Sequence, residues 1–200
     1  MDSLKISLPQ RKKIKKKQEI LKIARAKFQE KGFDNTSVEE ISEAALVSKS
    51  TFFNYFATKD KLLYEIAEEE ILKIQVFIDN DLVKNLKITD KIYKLMEFIV
   101  EDTLPFLKLT KKVIESVVLI TNRNHSPIVK LQNIVRDLIE KAQEKGEIKK
   151  EYEALDIAAI IMGTYFVTFF RWILEERDFT EKHKEKLISF LNMIFKGISI

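Results

Sequence analysis

The chain has 200 residues, 46% of them hydrophobic and 33% charged, with no cysteine. That composition supplies a real core for one or two modest domains, and the missing cysteines exclude disulfides, thiolate catalysis and cysteine-bound metals. Four glycines and three prolines are too few for a loop-rich β protein, so the long amphipathic stretches predict an all-α fold.

Charge divides the chain. Residues 1–61 hold 14 Lys/Arg against 8 Asp/Glu, a net of +6, whereas residues 62–200 hold 21 against 23, a net of −2. The surplus peaks at R-K-K-I-K-K-K, residues 11–17. Such an arm can follow phosphates or enter a minor groove. A solvated tail is the plainer alternative and is preferred for residues 1–10, and an anionic membrane surface suits basic composition too. The polar, lysine-rich start lacks a secretory pattern, which points to the cytoplasm.

In chain order, a first helix is expected over residues 11–31, burying Leu21, Ala24 and Phe28 before Gly32 ends it. Thr36 and Glu39 have capping-box spacing, which starts a short helix near Ser37 that carries Val38, Ile41, Ala44 and Ala45. Ser48 is the next cap, flanked by Val47 and Phe52 at hydrophobic-staple positions, and a second short helix follows from Lys49 to Tyr55. Two short capped helices across a tight turn outline a helix-turn-helix reader of DNA.

A linking helix is expected from Thr58 through Leu63, Ile66, Ile71, Ile74 and Phe77 to Asp79, without a breaker. Thr89 caps the next, with Ile92, Leu95, Met96 and Ile99 at helical spacing, until Pro105 ends or kinks it. Val113, Ile114, Val117, Val118 and Ile120 mark a further helix, residues 121–126 a loop, and Pro127 the first turn of a helix reaching about Gly146. Residues 157–170 are uncharged, so a helix there is apolar all round and must be buried all round. At 14 residues this run is too short to span a bilayer. A last helix over residues 181–197 presents Leu187, Ile188, Leu191, Ile194 and Phe195 as a stripe.

Residues 15–65 resemble the DNA-binding domain of the TetR family of bacterial transcriptional regulators. The resemblance rests on Gly32 with Phe33, residues 36–38, Ala44 with Ala45, residues 47–53, Tyr55 with Phe56, and residues 58–60. Leu46 and Ser50 depart from it by standing where glycine is common, and a left-handed backbone at Leu46 costs about 1 kcal/mol or more. The resemblance implies an arm and three-helix reading domain over residues 1–57 and a larger helical domain over 58–200 that binds ligand and dimerises. It further implies a homodimeric repressor, released from a palindromic operator by a small molecule.

Ser48, Lys49, Ser50, Thr51, Phe53, Asn54 and Tyr55 are expected to project toward DNA, with Thr36 and Lys59 beside them, while Phe52 and Phe56 pack inward. Lys49 and Lys59 each occupy a first helical position, where the macrodipole disfavours a cation until a phosphate binds the same amides. Phe77, Tyr93, Phe98, Phe106, Tyr165, Phe169 and Trp172 supply an aromatic lining with a few polar handles for an apolar or aromatic ligand, although aromatics at this spacing also serve as plain core. Ala159, Gly163, Phe166, Phe170, Leu187, Leu191 and Ile194 are assigned to a two-helix dimer face, the alternative being a purely intramolecular core.

No catalytic site, metal site or cofactor is expected. His125 and His183 have no acidic partner at ligand spacing, and the carboxylate runs 68–70 and 175–176 read as solvated faces. A helical adaptor without DNA binding and, with less support, an enzyme are the competing classes.

Overall fold

The computed structural model describes residues 7–118, 126–174 and 181–199. Among them run α1 (Leu8–Lys31), α2 (Val38–Ala44), α3 (Lys49–Tyr55), α4 (Lys59–Asp79), α5 (Asp81–Lys84), α6 (Ile88–Thr103), α7 (Leu107–Val118), α8 (Pro127–Glu144), α9 (Ala154–Leu174) and α10 (Glu181–Ile198). The described residues are all-α, as expected, with one isolated bridge between Ile148 and Ser199. The expected loop at 121–125, residue Ile120, the carboxylates at 175–176, and the side chains of Val117, Val118 and His183 lie outside the described residues.

The chain falls into two compact units. Unit 1 comprises residues up to Glu69 together with Lys108–Ser116, and unit 2 comprises Glu70–Leu107 and Val117–Ile200. Thus α4 contributes its first half to one unit and its second half to the other.

In unit 1, α1 starts three residues earlier than the charge pattern suggests, because Ser7 and Gln10 form a capping box and Pro9 suits a first turn. Gly32 ends it at φ +84°, a backbone that glycine adopts freely. The cap of α2 is Ser37 rather than Thr36: the Ser37 hydroxyl accepts from Glu40 N at 3.1 Å, and the Glu40 carboxylate accepts from Ser37 N at 2.9 Å. Thr36 is instead buried, with its hydroxyl donating to Gly32 O at 2.8 Å. Lys31, hydrogen-bonded to Glu40, and the Ser37 amide pull the Glu40 carboxyl down to about 2. Phe28, Ile41, Phe52, Phe56, Leu62 and Ile66 are fully buried.

Leu46 takes the left-handed conformation that its place in the turn requires, at φ +52°, and is 88% exposed. An L-residue pays about 1–2 kcal/mol there, and no packing offsets it. Leu46→Gly is therefore expected to stabilise unit 1 by up to about 1 kcal/mol once the greater unfolded-state freedom of glycine is subtracted. A raised urea midpoint with an unchanged slope would register it.

Unit 2 packs α6, α8, α9 and α10 around Ile92, Leu95, Met96, Val135, Ile139 and Ile161. The start of α6 shows how tightly that packing is closed. The expected cap Thr89 lies one residue inside the helix, and the capping group comes from far along the chain. Glu147, delivered by the left-handed turn at Gly146, accepts from Ile88 N at 3.1 Å, Thr89 N at 3.0 Å and Thr89 Oγ1 at 3.3 Å. Partial burial pushes its carboxyl up, but the Thr89 and Ile88 amides outweigh that and hold it below the usual range. The resulting stability is fully present above the ordinary carboxylate value of about 4.3 and is lost as pH falls through the lowered folded value. Glu147→Gln should cost about 1 kcal/mol at neutral pH, as lost helix caps do, and the difference from the parent should vanish in acid, read by thermal melts from pH 7 to 3.

The apolar run 157–170 sits inside a helix of 21 residues, longer than the uncharged stretch alone, and by length and composition that helix could cross a membrane. Its inner face belongs to the core of unit 2, through Ile157, Ala158, Ile161, Met162 and Tyr165.

Candidate nucleic-acid interface

The short helix α3 is held at both ends. Ser48 Oγ accepts from Thr51 N at 3.0 Å and lies 2.8 Å from Thr51 Oγ1, and Phe56 N closes the far end on Phe52 O at 2.9 Å. Before it, Val47 N donates to Ser42 O at 2.9 Å and Leu46 N to Glu43 O at 3.0 Å, which fixes the turn after α2. Phe52 and Phe56 point inward, fully buried with ring centroids 5.6 Å apart. Outward stand Ser48, Lys49, Ser50, Asn54 and Phe53, the last 49% exposed, with Thr51 and Tyr55 half-buried at the margins. The ammonium of Lys49 pairs with Glu39 of α2, so a phosphate at the start of α3 would compete with a carboxylate for it.

Two of the expected DNA contacts are otherwise engaged. The hydroxyl of Thr36 is buried in the turn after α1. Lys59 does not extend from the start of α4 into solvent: its ammonium donates to Phe33 O at 2.8 Å and Thr36 O at 2.9 Å and lies 4.3 Å above the Phe33 ring. It ties α4 to the turn between α1 and α2. Lys112 of α7 approaches the same ring at 5.2 Å and pairs with Asp34 at 3.0 Å. Nothing at the level of sequence spacing connects Lys112 with Asp34.

The expected aromatic lining separates into parts. Tyr165, Phe169 and Trp172 border a small apolar cavity of about 10 Å³ with Val100, Thr103, Thr168 and Leu187. Burial pushes the Tyr165 hydroxyl up to about 12, and that hydroxyl lies 3.3 Å from Thr103 Oγ1. Phe77 and Phe98 are elsewhere, stacked on each other at 4.2 Å, and the Tyr93 hydroxyl donates to Asn192 Oδ1 at 2.7 Å. Phe106 lies half-buried in the 3-10 turn Leu104–Phe106.

The expected dimer face also divides. Leu187 and Leu191 are fully buried in the core of unit 2, and Ile194 packs against it, so the stripe of α10 is mainly an inward one. On α9, however, Ala159, Ile160, Gly163, Val167 and Phe170 are exposed along one side, with Phe166 half-buried beside them and Met193 of α10 exposed. A Cβ at Gly163 would meet nothing within 4 Å.

A serine-capped helix set across a tight turn from a second short helix, with phenylalanines inward and polar and aromatic side chains outward, defines a helix-turn-helix DNA-binding protein. Residues 20–66 match the family described as bacterial regulatory proteins, tetR family. Over these residues the chain carries the DNA-binding domain of the TetR family of bacterial transcriptional regulators. It is 24% identical over 192 residues to the HTH-type transcriptional regulator LuxR of Vibrio harveyi, covering 90% of this chain and 89% of that protein. It is 36% identical over 61 residues to the transposon Tn10 TetC protein of Escherichia coli, covering 30% of this chain and 31% of that one. Its fold is similar to the crystal structure of the Thermus thermophilus repressor FadR in complex with lauroyl-CoA, with a TM-score of 0.70, 20% identity, and 92% and 95% of the two chains covered. The family, LuxR and FadR are regulators of transcription, not enzymes.

Proposed function

We propose that the protein is a cytoplasmic, homodimeric repressor that holds a palindromic operator through α3 and releases it when an apolar small molecule enters unit 2. The observation that carries the DNA half is the exposed start of α3, where Ser48, Lys49 and Ser50 stand outward at a helix N-terminus that suits a phosphate, while Phe53 suits contact with a thymine methyl. The dimer half is supported by the exposed apolar side of α9, whose residues 160, 163, 167 and 170 recur at helical spacing. Two copies of α9 and α10 would form a four-helix interface, and two recognition helices about 34–36 Å apart would meet successive major grooves.

The ligand half rests on the cavity beside Tyr165, an apolar space whose lining includes the three hydroxyl-bearing residues Thr103, Tyr165 and Thr168. At about 10 Å³ it admits a single water-sized group, far below the roughly 300–1,000 Å³ of ordinary ligand sites. A ligand must therefore select an opened conformation, and the fraction of molecules in that conformation scales its apparent affinity. Only a ligand that prefers the DNA-incompetent state can weaken operator binding, by about 5- to 150-fold for typical couplings of 1–3 kcal/mol. FadR, with lauroyl-CoA bound, is consistent with an effector that has a long apolar part and one polar end.

A genomic-fragment binding selection followed by footprinting tests the regulator reading. It should recover a palindromic protected site, and recovery of no site at all would end the reading. On that site Lys49→Ala should lower the slope of log affinity against log salt by about one unit, the loss of one phosphate contact. An unchanged slope would remove Lys49 from the contacts.

A further inference from the structure

Helix α1 is longer than its packing needs. Its first buried residue is Ile20, and residues 8–15 are exposed on every side, a projection about 12 Å long at 1.5 Å per residue. It carries Arg11, Lys12, Lys13 and Lys15 and no acidic residue. Among the described residues Lys12, Lys13 and Lys15 meet no carboxylate. The Ser7–Gln10 capping box nevertheless holds its first turn as helix.

The next two cations fix where the projection leaves unit 1. Lys16 Nζ donates to Ala45 O at 3.5 Å, and Lys17 Nζ pairs with Glu65 at 2.9 Å while lying 5.7 Å above the Phe56 ring. Ala45 closes α2 and opens the turn that leads to Ser48. The unpaired lysines therefore spring from beside the same turn that delivers the start of α3.

Such a helix is unfavourable alone. Arg11 with Lys15, Lys12 with Lys16 and Lys13 with Lys17 are like-charge pairs at i,i+4, which repel, and a helix this exposed gains nothing from packing. A polyanion reverses the sign of that cost. The form of the element then selects among the ways of meeting DNA. An α-helix is about 10–12 Å across and does not enter a minor groove about 6 Å wide, so its lysines meet phosphates rather than base edges.

We propose that the projecting start of α1 is a second DNA-contacting element, which grips backbone phosphates flanking the site read by α3. This rests on the reading of α3 as a DNA reader. It makes the binding site longer than the two recognition helices require, without adding sequence preference.

The test compares the full-length protein with the triple variant Lys12→Gln, Lys13→Gln and Lys15→Gln, which keeps helix propensity and alters only exposed positions; circular dichroism checks that the fold is retained. Each binds the duplex recovered by the genomic selection, once trimmed to the core and once with one helical turn, about ten base pairs, added on each side. The parent should bind the longer duplex more tightly than the core. The triple variant should lose that gain, and its salt slope on the longer duplex should fall by up to about 2.7 per subunit, 0.9 for each lost phosphate contact. Its base preference should stay unchanged. Equal slopes for parent and variant on the longer duplex overturn the proposal while leaving α3 as the reader. A variant that binds DNA as the parent does but loses binding to phosphatidylserine–phosphatidylcholine vesicles assigns the projection to a membrane and also overturns it. A parent that binds neither duplex overturns the DNA reading itself, and this inference with it.

Discussion

Replacing Phe52 by alanine is expected to unfold the reading head while leaving unit 2 helical. Phe52 is fully buried, with ring centroids 5.5 Å from Phe53 and 5.6 Å from Phe56. It is the one buried residue of α3, so the helix has no other anchor of its own. Truncating a buried phenylalanine costs about 3–5 kcal/mol, against a total of about 5–15 kcal/mol for a domain. DNA binding should disappear, and the melting transition of unit 1 should fall by more than about 10 °C. Phe53→Ala is the matched comparison: its side chain is half in solvent, so stability should hold while operator affinity drops. Equal loss of stability in both variants would show that the inward and outward assignments of the two rings are wrong.

The second large effect is expected at Val167, which is 66% exposed in the middle of the outer side of α9. In a symmetric dimer each subunit contributes the same patch, so Val167→Glu would bury two carboxylates against apolar side chains, at a cost of several kcal/mol for each ion. Sedimentation should show monomers where the parent protein forms dimers, and affinity for a palindromic operator should fall with assembly. Val167→Ala should retain both. The fold of the single subunit should be unchanged, because Val167 is mostly in solvent there. If the parent protein sediments as a monomer at micromolar concentration, the proposed interface is wrong.

Most helix positions were legible because caps and breakers are local signals. Pro127 opens α8, Gly32 closes α1, and Ser48 opens α3 where expected. The misplaced cap of α2 has a local cause as well. The run T-S-V-E-E offers two overlapping capping boxes, and the choice of Ser37 with Glu40 is made by Thr36, whose hydroxyl satisfies a carbonyl in the preceding turn. The four-residue helix α5 carries too short a period to register, and so was not foreseen.

What the sequence could not disclose was tertiary engagement. A lysine at the first position of α4 has the same local signature whether it awaits a phosphate or, like Lys59, satisfies two carbonyls beside Phe33. The stripe of α10 has the same period whether it faces a partner or, as with Leu187 and Leu191, its own subunit. Which aromatics gather round a cavity depends on how four helices cross, and that placed Tyr165, Phe169 and Trp172 together while pairing Phe77 with Phe98.

The two threonines of α9 have a consequence for assembly. Thr164 Oγ1 donates to Ile160 O at 2.8 Å, and Thr168 Oγ1 donates to Thr164 O at 2.8 Å. Each hydroxyl is satisfied one turn back within its own helix, and the rest of the outer side from Ala159 to Phe170 is carbon. A surface so self-contained asks nothing polar of whatever covers it. Association through it would be governed by released water, with a marked negative heat-capacity change and little response to ionic strength. Temperature would set how many molecules are paired, while salt would act on the DNA-bound step alone.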